Sequence, residues 1–363
     1  MSSFTPTDHT LMAQALRLAE RGLFTTQPNP RVGCVIAHGD TVVGEGFHPR
    51  AGEPHAEVFA LRAAGERARG ATAYVTLEPC AHHGRTPPCA DALVAAGVAR
   101  VVVAAEDPFP QVAGRGIGKL RDAGIAVELG LIREAARELN VGFFSRIERG
   151  RPWVRVKLAM SLDGRTALAN GASKWITGEA ARADVQRWRA RSSAILAGSG
   201  TVLADDPRLT ARIGAPFAPP LRVVLDRSLR TPAGSHVLDG SAPTLLLHAE
   251  GAVVPAHLQN VDLAPVPAAD GGLDLSAALA LLAARGCNEV HVEAGPTLCG
   301  ALLAAGLADE LLLYVAPMLL GDSARPLLHL PTLQDMGARW NLRVQDQRML
   351  GQDLRLRLRP ARD

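Results

Sequence analysis

The chain has 363 residues, more than one hydrophobic core usually organises, so two domains are expected. It is 47% hydrophobic and 21% charged, the composition of a soluble globular protein. The formal net charge is +3, with 16 Lys/Arg against 16 Asp/Glu in residues 1–150 and 23 against 20 in 151–363, so neither half has the basic excess that phosphate neutralisation demands of a nucleic-acid binder.

The amino end, MSSFTPTDHT, carries neither a basic start nor an apolar stretch, so no export is expected. Residues 8–21 then show the periodicity of an amphipathic helix, 32–37 and 41–47 read as paired strands, and 55–68 as a helix. A strand near 73–76, a helix at about 89–96 and a strand at 100–104 follow. Helices at 117–123 and near 131–140 close an α/β layered unit with a mixed sheet. The stretch RIERGRPWVRVKL (146–158) breaks the pattern with charge, Gly150 and Pro152, which sets a first domain at 1–146 and a second at 150–363. Alternation resumes with a strand at 153–159, a helix at 179–191 and strands at 194–197, 221–226 and 244–248. A helix at 273–285, a strand at 289–293, a helix at 297–305 and a strand at 311–316 complete it. The longest uncharged apolar run, Leu311–Leu320, is far too short for a membrane span.

Five cysteines (34, 80, 89, 287, 299) form an odd, scattered set, which fits a reducing cytoplasm and metal or core roles rather than disulfides. Cys34, Cys287 and Cys299 read as core. Cys80 ends a strand with a proline stop, and Cys89 opens a helix after Pro87-Pro88. His55 and Glu57 lie at the amino end of another helix, where free N–H groups favour deprotonated ligands. His55, Cys80 and Cys89 thus make a ligand set for Zn²⁺ with a fourth position open to water, and Glu57 is placed to move that water's proton. The pattern HAE followed by EPC is that of zinc nucleobase deaminases, except that eight residues separate the two cysteines instead of two. A closed structural site recruiting His82 or His83 is the alternative, and it leaves HAE without a role.

GRGIGK (114–119), in the first domain, satisfies neither the dinucleotide nor the phosphate-loop pattern. VEAGPTLCGALLAAG (292–306) is more informative, since a strand end and a glycine turn feed a helix amino end suited to phosphate. AGSGTVLADDPRLT (197–210) makes a second such turn. SKWIT (173–177) offers Trp175 as an aromatic.

PNPRVGCVI (28–36), AGEPHAEVFAL (51–61) and TLEPCAHHGRTPPC (76–89) closely resemble the deaminase half of the bifunctional riboflavin-biosynthesis deaminase–reductase family, and the second-half stretches resemble its reductase half. The resemblance runs over about residues 8–320. It implies an α/β architecture: a cytidine-deaminase-like three-layer α/β/α domain followed by a dihydrofolate-reductase-like α/β domain using NADPH. It implies His55, Cys80 and Cys89 as zinc ligands, Glu57 as proton shuttle, and Asn29 and the loop residue Arg85 on the substrate side. EDPFPQVAGRG (106–116) departs from the family where Phe109 stands in place of Asn. The resemblance also implies cofactor contacts from Ala159, Trp175, Thr201, Asp205 and the run Gly295, Pro296, Thr297, Leu298, Cys299, Gly300 and Ala301. Substrate contacts are implied for Ser173, Arg189, Leu209, Arg212 and Glu293. Arg189 and Arg212 suit a ribose 5-phosphate clamp, because guanidinium forks match phosphate oxygens. Lys157 and Glu293 are the expected polar pair for opening the sugar ring, and Arg227 or Ser228 is the candidate contact for the cofactor's 2′-phosphate.

The expected partners are small phosphoribosylated pyrimidines, with no nucleic acid and no membrane, in a cytoplasmic homo-oligomer. The competing reading is a tRNA base deaminase whose C-terminal half is a binding module; the balanced charge and the long cysteine spacing argue against it.

Overall fold

The computed structural model describes residues 4–81, 88–110, 112–269 and 271–361, and the chain divides into two compact units, Met1–Arg149 and Gly150–Asp363. The first contains α1 (Pro6–Glu20), β1 (Gly33–His38), β2 (Thr41–Phe47), α2 (Ala56–Ala64), β3 (Thr72–Val75), α3 (Cys89–Ala96), β4 (Arg100–Val103), α4 (Arg115–Asp122), β5 (Ala126–Leu129), α5 (Arg133–Leu139) and α6 (Val141–Arg149). Its sheet has the order β2-β1-β3-β4-β5, with β1 antiparallel to both neighbours and β3, β4 and β5 parallel.

Strand alternation builds the three layers. On β1, Cys34 and Ile36 point to a core shared with Ala56 and Ala60 of α2 and Leu93 of α3, while Val35 and Ala37 point to the opposite core with Met12 of α1 and Phe144 of α6. The α2 backbone lies directly on β2 because Gly44 and Gly46 have no side chain. A Cβ on either would stand 2.2 Å from a carbonyl of α2, at Ala60 and Ala56 respectively. That contact fixes the start of α2, and with it His55.

The second unit contains β6 (Trp153–Ser161), β7 (Arg165–Ala167), α7 (Glu179–Arg191), β8 (Ala194–Gly198), α8 (Ser199–Asp205), β9 (Leu221–Leu225), β10 (Thr244–Ala249), β11 (Asp262–Val266), β12 (Ala268–Ala269), β13 (Gly272–Leu273), α9 (Leu275–Ala284), β14 (Glu289–Val292), α10 (Pro296–Ala304), β15 (Glu310–Ala316), β16 (Arg325–Pro326), β17 (Leu342–Leu350) and β18 (Asp353–Pro360). Nine strands form one sheet in the order β11-β10-β9-β8-β14-β6-β15-β18-β17, parallel up to β15 and antiparallel across the last two pairs. Ala194 and Leu196 of β8 join the core under α9 and α10, and Ile195 and Ala197 join the core on the other face.

Several elements lie outside the sequence expectation: β5, α6, α8, β11 and the C-terminal hairpin β17–β18. Arginines on β18 are the physical reason the hairpin reads poorly. Arg355 is buried and bonds Asp184, and Arg357 reaches Glu310, so charged residues occupy positions that a hydrophobic pattern leaves to solvent. At the centre of the sheet Arg155, 1% exposed, lies between Glu289 and Glu310 with Trp188 against its guanidinium.

Among the described residues, no helix is long and apolar enough to cross a membrane.

Candidate active sites

In the first unit the three expected ligand atoms converge. His55 Nδ1 lies 3.6 Å from Cys80 Sγ and 3.3 Å from Cys89 Sγ, and the donor atoms all fall within 4.8 Å of one another. Local structure explains each placement. His55 is the N-cap of α2 in extended conformation, Cys89 is the first residue of α3 after Pro88, and Cys80 follows β3, with its sulfur accepting the Cys89 N–H at 3.3 Å. Hydrogen bonds from Cys89 and then His55 draw the Cys80 thiol below its usual range, which favours the thiolate a metal requires.

Glu57, in the first turn of α2, is 2% exposed, and its Oε2 has no hydrogen-bond partner among the described residues. Burial pushes its carboxyl up to about 7. A soft nitrogen-and-sulfur donor set beside an open buried carboxylate fits Zn²⁺ with a catalytic role. His82, His83 and Arg85 fall outside the described residues.

A residue the sequence reading missed supports this site. His48, at the end of β2, is buried, and its ring meets that of His55 edge to face with centroids 5.3 Å apart. Its Nδ1 donates to the Pro54 carbonyl at 3.0 Å, leaving Nε2 to accept from Asn29 Nδ2 at 3.1 Å. Burial holds its pKa down, consistent with that neutral tautomer. The histidine thus ties Asn29 to the start of α2. The HP pair at 48–49 closing a strand was the available signal.

Glu78 is a second missed residue. Its buried carboxylate accepts N–H groups from Asp107 at 3.3 Å, Gly114 at 3.0 Å, Gly116 at 3.0 Å and Ile117 at 3.2 Å. The loop that carries Phe109 is therefore tied to the chain two residues before Cys80.

The second unit holds a cavity of about 1470 Å³ at the carboxyl ends of the parallel strands. Its wall includes Lys157, Ala159, Ser173, Trp175, Arg189, Thr201, Asp205, Leu209, Arg212, Arg227, Ser228, Glu293, Gly295, Pro296, Thr297, Leu298 and Ala301. Cys299 and Gly300 do not line it. Cys299 is fully buried with its thiol on the Ala294 carbonyl, and a Cβ on Gly300 would stand 2.0 Å from the His329 carbonyl, so this side of α10 faces the core.

Arg189 departs from the expected open phosphate clamp. Its Nε and Nη2 hold both oxygens of Glu293, the latter at 2.7 Å, and Nη1 donates to the Thr210 carbonyl at 3.0 Å. Burial and the Arg189 charge oppose each other at Glu293, and the arginine prevails, holding the carboxyl well below its usual range. Arg212 is more exposed and donates to Thr210 Oγ1 at 3.1 Å, with Arg208, absent from the expected set, nearby on the wall. Leu209 borders the cavity yet is 1% exposed, with its side chain packed in the core. Its φ of +47° and that of +40° at Asp206 mark a strained turn of the kind concentrated at functional sites. Trp175 is 68% exposed, with the Arg182 guanidinium 4.8 Å from its ring centroid.

Comparison with known proteins agrees with this two-site arrangement. Residues 5–105 match the cytidine and deoxycytidylate deaminase zinc-binding region, and residues 152–356 match the RibD C-terminal domain. The riboflavin biosynthesis protein RibD of Escherichia coli K12 is 50% identical over 97% of this chain and 99% of its own. That of Haemophilus influenzae is 45% identical over 99% of each. Acinetobacter baumannii RibD, form 1, superposes with a TM-score of 0.92 at 48% identity, covering 98% of this chain and 99% of its own. The Thermotoga maritima diaminohydroxyphosphoribosylaminopyrimidine deaminase/5-amino-6-(5-phosphoribosylamino)uracil reductase gives a TM-score of 0.88 at 34% identity with the same coverage.

Proposed function

Since this chain belongs to the family of bifunctional deaminase–reductases of riboflavin biosynthesis, we propose which of its residues carry each half-reaction. The first half is a zinc-dependent deaminase that hydrolytically removes the 2-amino group of 2,5-diamino-6-(ribosylamino)-4(3H)-pyrimidinone 5′-phosphate. The second uses NADPH to reduce the ribosyl group of the deaminated product to ribityl. The match of the second half to a reductase domain displaces the reading of it as a nucleic-acid binding module.

The observation that carries the deaminase assignment is the open Oε2 of buried Glu57 beside the three converging donors. His55, Cys80 and Cys89 would hold Zn²⁺, and three donors among the described residues match the count of a catalytic site. When bound, zinc brings the acidity of water into the neutral range. Glu57 accepts a proton from the attacking water and returns it to the departing amino nitrogen, a task that a carboxyl near 7 performs well. Asn29, aimed by His48, contacts the pyrimidine, and Arg85 does so from the intervening loop.

NADPH, when bound, supplies the hydride. Ala159, Trp175, Thr201, Asp205, Gly295, Pro296, Thr297, Leu298 and Ala301 are the cofactor side of the cavity, with Cys299 and Gly300 packed behind them and Arg227 or Ser228 toward the 2′-phosphate. Ser173, Arg189, Leu209, Arg212 and Glu293 are the substrate side. Lys157, whose pKa burial lowers, and Glu293 exchange protons with the sugar as its ring opens. The domains divide near residues 146–150. Five cysteines, none of them in a disulfide among the described residues, suit a cytoplasmic location. Exposed Leu162, Leu319, Val344 and Met349, with β17 at a sheet edge, suit a homo-oligomer rather than a nucleic-acid partner.

One assay of the zinc-loaded protein with the diaminopyrimidine substrate tests the assignment. Ammonia is expected without NADPH, and NADPH oxidation only after deamination; oxidation ahead of ammonia release would overturn the order of the two halves.

A further inference from the structure

His291 is a fully buried imidazole on β14 whose two ring nitrogens both lack a formed hydrogen bond among the described residues. Its cross-strand neighbours are Arg155 on β6 and Ile195 on β8. Glu293 follows two residues later, and its Oε1 stands 3.3 Å from His291 Nε2, near enough to bond but out of line. Both oxygens of that carboxylate are meanwhile taken by Arg189. A buried polar side chain without a partner is costly and calls for an explanation. Burial first, then the Arg155 and Arg189 charges, keep the imidazole neutral against the pull of Glu293, so it is a donor without a charge of its own.

The surroundings supply a reason for keeping such a donor there. Arg189 and Glu293 both line the cavity, with Arg212 and Arg208 on the same wall. An anionic ligand entering among these arginines competes with Glu293 for the Arg189 guanidinium. If Arg189 turned to the ligand, Glu293 would lose both of its guanidinium hydrogen bonds and keep only the nearby Lys157 charge, a costly state for a buried carboxylate. His291 is already within reach of Oε1, and a small rotation of the carboxylate aligns it with Nε2–H.

We infer that His291 is a positioning residue for Glu293, taking over its carboxylate when Arg189 turns to an anionic sugar phosphate. This rests on the reading of Glu293 as a substrate-side group of the reductase. No proton changes owner in the exchange: the imidazole keeps Nε2–H, and the carboxylate passes from a charged to a neutral donor. Glu293 thereby stays where it acts, without the tight guanidinium pair that depresses its basicity.

The test uses the full-length enzyme and pre-deaminated substrate. His291→Phe is expected to lower kcat for reduction by about tenfold or more, the scale of a misplaced reacting group, with KM for substrate and NADPH within about twofold. His291→Gln, which retains an N–H donor, is expected to recover most of the loss. In the wild-type protein, the His291 ring-nitrogen NMR resonances are expected to report an Nε2–H tautomer and to shift on saturation with ribose 5-phosphate. Unshifted resonances at saturation overturn the inference even where the phenylalanine variant does not fold. So does an unchanged kcat in His291→Phe while Glu293→Gln is impaired. An unimpaired Glu293→Gln refutes instead the underlying reading of Glu293.

Discussion

Glu78 and Gly116 fasten the chain that leads to Cys80 onto the amino end of α4. The carboxylate Oε1 accepts the Gly116 N–H at 3.0 Å, and a Cβ on Gly116 would stand 1.9 Å from the Pro79 carbonyl. One metal ligand is thus positioned by a helix more than thirty residues away in sequence.

Two variants probe this clamp. Gly116→Ala must separate backbone from backbone and is expected to destabilise the first domain by about 1–3 kcal/mol. Glu78→Ala strands buried N–H donors, with an expected loss of about 3 kcal/mol or more. Denaturation of the first domain together with zinc content checks both, and reduction of pre-deaminated substrate is expected to persist.

Glu57→Gln keeps the shape of the side chain and removes the acid–base group. Ammonia release is expected to fall by about 10²-fold or more while bound zinc stays near one per chain. Unchanged release would remove Glu57 from the proton path.

Chelation separates the halves. Stripping the metal is expected to abolish ammonia release and leave NADPH oxidation with pre-deaminated substrate intact, because none of His55, Cys80 and Cys89 belongs to the second unit. Adding Zn²⁺ back is expected to restore deamination.

Asn29 and His48 are expected to act as a pair. Asn29→Ala and His48→Phe should each raise the deaminase KM, and the double variant should show coupling of about 0.5–3 kcal/mol, the range for residues that share a contact. Full additivity would separate the two roles.

Arg155→Ala leaves Glu289 and Glu310 buried without their shared cation, although Arg191, Arg357 and Arg359 still reach them. A loss of about 3–5 kcal/mol from the second domain is expected on thermal or denaturant unfolding.

The zinc site was legible in the sequence because each ligand sits at a local stop signal: His55 after Pro54, Cys80 after Pro79 and Cys89 after Pro88. Helix starts and strand ends of that kind depend on near neighbours. The HP pair at 48–49 marks a strand end but not the role of His48, since its partners Asn29 and Pro54 come from opposite sides of a β-hairpin. The Arg189–Glu293 pair spans 104 positions and joins α7 to the end of β14, which no local pattern reports. Strand β18 did carry a signal, the Leu–Arg alternation from Leu354 to Arg359. Its arginines look like a solvated face, whereas Arg355 lies in the core against Asp184.

The spread of the three donors along the chain has a thermodynamic consequence. His55 is 25 residues from Cys80 and 34 from Cys89, so the unfolded chain holds no preformed chelate. Metal binding and folding of the first domain are therefore linked equilibria. At free zinc about a thousandfold above the dissociation constant, occupancy adds about 4 kcal/mol to that domain's stability. Its melting temperature should climb with the logarithm of free zinc, which makes the fold its own metal gauge.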